Sequence, residues 1–172
     1  MNLLAVDPGT QGGIAWLIDG ASGCCSMPAT EGDVWQKLLE LYGKGVKIAY
    51  VERQAGFIQG AGGASVMFTF GEGYGFIKGC LTALGMRIIL VQPQKWQKAL
   101  SLGNVGRLKI PKEASPEVRK SLKKINDAAK RSWKNKLKEE AQRRFPHLAA
   151  TLANADALLL LDYAQQAERG KK

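Results

Sequence analysis

Apolar residues fall into short runs near the N-terminus and into helical spacings further on. Residues 2–7 (Leu3-Leu4-Ala5-Val6 closed by Asp7) read as a fully buried strand, and residues 13–19 as a second. The intervening Pro8-Gly9-Thr10-Gln11-Gly12-Gly13 is turn chemistry, so the two are expected to form a hairpin. A third strand is expected at 23–27. Residues 31–42 repeat apolar positions every three or four, with Val34, Leu38, Leu41 and Tyr42 on one helical face. Another buried strand spans 46–51 and ends at Glu52, and a further one spans 87–91.

Between those two strands the spacing predicts a long helix over about 65–84. Gly71, Gly75 and Gly79 recur on it every four residues, with Ala83 completing the stripe. Each glycine costs a helix roughly 0.5–1 kcal/mol relative to alanine, so the stripe implies close backbone approach, helix on sheet or helix on helix. Pro93 starts a short helix through Trp96 and Leu100. Residues 102–114 read as irregular and 115–145 as a Lys-rich helix broken near Asn126. A last helix over about 150–168 is apolar nearly all round in its first half. Strands come first and helices alternate later, which gives an α/β class with a mixed sheet. The length of 172 residues fits one domain.

Charge adds direction. Lys plus Arg total 25 against 15 Asp plus Glu, a formal +10. From Arg107 to Arg144 there are fourteen basic and five acidic residues, so this stretch carries +9 and the rest is nearly balanced. Such an excess points to a polyanion. The three cysteines, Cys24, Cys25 and Cys80, form no disulfide framework and no metal-ligand spacing. A reducing cytosol follows, with no signal peptide and no membrane span.

Against this basic background three acids stand out. Asp7 and Glu52 close buried strands, and Asp156 lies within the apolar Ala155–Leu161 stretch. A carboxylate in such a place is costly unless a cation or partner satisfies it. Ends of α/β strands are where such sheets build sites, and carboxylates suit Mg²⁺. Together the three suggest a metal site for in-line phosphoryl displacement, with the basic surface holding a nucleic-acid backbone. An actin-like ATPase also opens with a strand, Asp and a Gly/Thr turn, but the chain is too short for two lobes and carries no second phosphate loop.

The order of motifs resembles the RuvC-like Holliday junction resolvases of the RNase H-like superfamily, in the style of the phage and chloroplast branch. The matching pieces are Asp7 with its Gly-rich hairpin, Val51-Glu52-Arg53-Gln54, and Ser65-Val66-Met67-Phe68 through Phe70-Gly71, Tyr74-Gly75 and Gly79. Then come Val91-Gln92-Pro93-Gln94-Lys95-Trp96-Gln97, the Lys134–Lys138 helix running to Arg144-Phe145-Pro146, and Asn154-Ala155-Asp156-Ala157-Leu158-Leu159. Most of the chain is covered except about 102–132, which reads as a basic insertion.

The resemblance implies an RNase H-like fold, a five-stranded mixed β-sheet flanked by α-helices. It implies Asp7, Glu52 and Asp156 as catalytic metal ligands, with Mg²⁺ or Mn²⁺, two ions per site. It also implies a homodimer joined through the Gly71/Gly75/Gly79 helix and symmetric nicking of four-way junctions or other branched DNA. The products carry 5′-phosphate and 3′-hydroxyl ends. The setting is the cytoplasm of a bacterial or phage-infected cell, or a DNA-containing organelle.

Lys134 is expected to contact the scissile phosphate. Lys95, Lys98, Lys109, Lys112, Lys130, Arg131 and Lys136 are expected along the DNA, with Phe57 stacking at the junction centre. Trp96 is expected in the core and His147 at the surface. One departure stands out: the family carries a fourth acid one helical turn before the last, whereas here Ala153 and Leu152 occupy those places. A three-acid site is the expectation, and a noncatalytic or weakly active branched-DNA-binding protein of the same fold is the alternative.

Overall fold

A computed structural model of the chain describes residues 1–53 and 64–170. The hairpin forms as its turn chemistry requires. β1 (Leu3–Asp7) pairs antiparallel with β2 (Gly13–Ile18), and β2 with β3 (Ala21–Ser26). After α1 (Glu31–Gly43) the chain re-enters the sheet as β4 (Ile48–Glu52), parallel to β1. α2 (Ala64–Ala83) then crosses to β5 (Arg87–Val91), parallel to β4. The strand order is β3-β2-β1-β4-β5, with β1 central. Three helices complete the described chain: α3 (Pro93–Ala99), α4 (Pro116–Arg144) and α5 (Ala155–Arg169).

Alternation along the central strands divides the core. Leu3, Ala5 and Tyr50 face a cluster built with α5, Trp96 of α3 and Leu137 and Ala141 of α4. Leu4, Val6, Ala49 and Val51 face the other way, against α1 and α2. Side chains two apart share a face, so Asp7 follows Leu3 and Ala5, and Glu52 follows Ile48 and Tyr50, onto the α5 side. The register that pairs Val6 with Val51 sets the two acids side by side at the carboxyl ends of β1 and β4. Leu158, Leu159, Leu160 and Leu161 of α5 are wholly buried. Burial of each is worth roughly 1.5–3 kcal/mol, and this packing offsets the cost of carrying Asp156 into the same layer.

Three expectations change. The last helix begins at Ala155, not 150, because Asn154 winds the preceding turn around itself. Its Oδ1 accepts from the Thr151 amide at 2.7 Å, and its Nδ2 donates to the Ala149 carbonyl at 3.2 Å. The basic segment is one unbroken 29-residue helix through Asn126. Rather than breaking it, the Asn126 side chain brackets Leu108, accepting from its amide at 2.7 Å and donating to its carbonyl at 2.9 Å. Within 102–132 the part before Pro116 is irregular, as expected. Finally, Gly71, Gly75 and Gly79 are exposed, and a Cβ on any of them would meet nothing within 4 Å among the described residues. The close approach expected of that stripe is therefore not made inside the described chain. Among the described residues no helix is long and apolar enough to cross a membrane.

Candidate active site

Three elements deliver the acids to one place. β1 ends in Asp7, β4 ends in Glu52, and Asp156 stands in the first turn of α5, where the helix end presents partial positive charge. The approach depends on the turn after β1. A Cβ on Gly12 would lie 2.9 Å from Asp7 Cγ, and one on Gly13 would lie 3.0 Å from the Ala153 carbonyl oxygen and the Asn154 Cα. No other residue lets the hairpin pass so close to both Asp7 and the start of α5.

The acids feel one another through a dry setting. Burial raises the Glu52 carboxyl to about 8, with the charges of Asp7 and Asp156 adding to the rise. Burial and the Asp156 charge likewise raise Asp7 to about 6. Asp7 has one backbone donor, the Gly9 amide at 3.4 Å. Asp156 Oδ2 accepts from Lys134 Nζ in an ion pair, while its Oδ1 is buried without a partner among the described residues. Burial depresses the Lys134 ammonium, but the charges of Asp156, Asp7 and Glu52 outweigh that and hold it above the usual lysine range. The cation among the acids is thus a side chain of the protein itself.

Trp96 is the residue the sequence reading placed correctly in the core but gave no role in the site. It is fully buried, and its indole N–H donates to Glu52 Oε2 at 3.0 Å. An indole can only donate, so this contact favours the ionised carboxylate. A Trp96→Phe variant leaves that oxygen without its donor in a buried place. Its loss is expected to raise the Glu52 pKa further. A pH titration of the Glu52 carboxyl that is the same in the variant as in the wild type would remove this role.

Of the remaining expected residues, Lys130, Arg131 and Lys134 line one cavity of about 1350 Å³, together with Lys120, Lys123 and Lys124. Gln11, Ser26 and the Thr151–Ala153 turn form its other side. Lys136 is on the same helix but committed elsewhere: it donates to the Leu102 carbonyl at 2.9 Å and lies over the Trp133 ring. Lys109 and Lys112 sit on the exposed segment before α4 and do not line the cavity; Lys95 and Lys98 are exposed on α3. Phe57 lies outside the described residues. His147 is at the surface, as expected, with Nε2 at 2.8 Å from Ser22 Oγ. Ala153 lies in the turn before α5, so the position expected to carry a fourth acid is not on that helix.

The donor set suits a hard divalent cation. It is all carboxylate oxygen, one oxygen lacks a partner among the described residues, and burial and the neighbouring negative charges raise two of the acids. No three His, Cys, Asp or Glu side chains among the described residues form a group that could hold a metal ion. Mg²⁺ does not require three, since it takes one or two carboxylates and keeps water in its remaining positions.

Comparison with known proteins supports the fold. RuvC of Thermus thermophilus superposes with a TM-score of 0.53 over 97% of this chain and 97% of that one, at 16% identity. A second structure, T. thermophilus RuvC in complex with a Holliday junction substrate, aligns over 59% of this chain and 70% of that one, at 16% identity and a TM-score of 0.46. No family profile and no curated protein matches the chain. The five-stranded mixed sheet with its flanking helices is a RuvC-like, RNase H-like fold.

Proposed function

We propose that this chain is a metal-dependent endonuclease of branched DNA, a Holliday junction resolvase of RuvC type in the phage and chloroplast style. One observation carries the reading: Asp7, Glu52 and Asp156 converge from β1, β4 and α5 around a single ammonium, beside a cavity lined with cations. Asp7, Glu52 and Asp156 would hold Mg²⁺ or Mn²⁺, two ions per site. Bound there, the metal supplies Lewis-acid polarisation of the phosphodiester and a water nucleophile at neutral pH.

The chain's own groups do the rest. Trp96 fixes the carboxylate plane of Glu52. Lys134, freed from Asp156 when the acids gain another cation, faces the cavity and offsets the charge that builds on the phosphate oxygens. Lys130 and Arg131 hold the neighbouring phosphates. The single domain over 1–172 works as a homodimer. The open Gly71/Gly75/Gly79 stripe of α2, with Phe68 exposed beside it, is the surface on which a second copy packs. Two sites then face opposite strands of a four-way junction. T. thermophilus RuvC has been solved on a Holliday junction substrate.

A noncatalytic branched-DNA-binding protein is the second reading, favoured by Ala153 where a fourth acid is expected and by Lys134 seated among the acids. A synthetic four-way junction incubated with Mg²⁺ or Mn²⁺ separates the two. Paired symmetric nicks leaving 5′-phosphates are expected. Tight binding with no nick in either metal would establish the second reading, and equal cutting of flaps and forks would make the enzyme a broader debranching nuclease.

A further inference from the structure

We infer that the N-terminal half of α4 is a ruler, which grips a duplex arm out to about six base pairs from the scissile phosphate. The inference rests on the branched-DNA reading above and concerns the segment that reads as an insertion, not the acids. Lys120, Lys124, Arg131 and Lys134 recur at three-to-four-residue spacing or its multiples, so they share a helix face, with Lys123 and Lys130 flanking it. All six line the cavity, which adjoins the acidic cluster through Lys134, the ion-pair partner of Asp156, and Asp127 is the one acid among its described lining residues. Apart from Lys134, none of the six forms an ion pair with a described carboxylate. A row of cations left unneutralised along a cavity calls for an anion of matching length.

The row is also held in place. The opposite face of α4 carries Val118, Leu122, Ile125 and Ala129, and the segment before the helix is tied back to it. Asn126 brackets Leu108 through two hydrogen bonds, and Arg119 Nε donates to the Ala114 carbonyl at 2.9 Å. Ser115 caps the helix by accepting from the Val118 amide at 3.4 Å. The splinted helix runs without interruption from Lys120 to Lys134. Fourteen residues at helical rise span about 21 Å, which at 3.4 Å of duplex axis per base pair is about six base pairs. The cations stand on α4, whereas Gln11, Ser26 and the Thr151–Ala153 turn across from them are uncharged. The arm is therefore held from the α4 side.

The test compares the wild-type chain with a Lys120→Ala, Lys123→Ala, Lys124→Ala triple variant on four-way junctions whose arms are closed by hairpin loops and shortened together. The wild type is expected to bind more tightly as the arms grow from about four to about eight base pairs and then to level off. The variant is expected to lose that gain, to bind long-armed junctions about ten- to a hundredfold more weakly, and to show a log–log salt slope smaller by about 2.7. A slope and arm-length response equal to the wild type would overturn the ruler and leave the nuclease reading standing. A wild-type chain that binds no branched DNA would remove that reading, and the ruler with it.

Discussion

Replacing Glu52 with Gln is expected to abolish metal-dependent nicking while making the metal-free protein more resistant to heat at alkaline pH. The activity loss follows from removing a carboxylate on which the cation depends, and a fall of at least about 10²-fold is in keeping with the loss of one such electrostatic element. The stability gain follows from linkage. Glu52 is raised to about 8 and Asp7 to about 6 by burial and by their neighbours' negative charge. The folded chain therefore binds more protons than the unfolded chain from the ordinary carboxyl range up to about 8. Stability falls as pH rises through that window, and the penalty is complete once both acids are ionised. At pH 7 Glu52 is still largely neutral, so Gln changes little there. The gap in melting temperature between Glu52→Gln and wild type should open between pH 7 and pH 9. Mn²⁺ or Mg²⁺ should close it from the wild-type side, since a ligand of the folded state stabilises by mass action. A wild-type melting temperature that climbs over this pH range in EDTA would contradict the arrangement of charges.

The opposite sign is expected on the cationic side of the same cluster. Lys134→Met should lower the melting temperature of the metal-free protein, because Asp156, already with one unpartnered buried oxygen, loses the partner of the other. The side chain of Lys134 is 37% exposed, so the loss is discounted from the full cost of breaking a buried pair to about 1–2 kcal/mol. That is a few degrees for a chain of this length. Nicking should fall about ten- to a hundredfold as phosphate stabilisation goes. Metal binding should improve, because the ammonium and the ion compete for the same oxygen. Calorimetric titration with Mn²⁺ is expected to give a dissociation constant about tenfold lower, equivalent to about 1.4 kcal/mol. If Mn²⁺ instead binds the variant more weakly, Lys134 assists the ion rather than competing with it.

The acids were legible in the sequence because strand geometry is local. A buried run of period two that stops at an acid places that acid at a strand end, and β1 and β4 do so at Asp7 and Glu52. Asp156 was legible as the charged residue in an otherwise apolar helix. The Trp96 contact was not, since it joins residues 44 apart whose meeting depends on how α3 folds back over β4. Tryptophan in a short amphipathic stretch carries no mark of what its N–H will reach. The phase of α4 was also hidden. A break at Asn126 would have turned Lys120–Lys124 away from Lys134, but the helix continues through it and the side chain instead captures the Leu108 backbone. The glycine stripe of α2 had a legible spacing, but spacing does not say whether the approaching surface belongs to the same chain.

The two glycines after β1 have a genetic corollary. Every single-base change in a glycine codon that gives another amino acid adds a Cβ, and at Gly12 and Gly13 any Cβ strikes Asp7, the Cys25 carbonyl or the turn that starts α5. Neither position carries a functional group, yet no point mutation leads from either to a neighbour that fits. The Gly20 codon, in the open turn beyond β2 with nothing near its missing side chain, is free of that packing constraint. Across the two turns that flank β2, two codons are thus locked by the space they must leave empty, while a third escapes that lock.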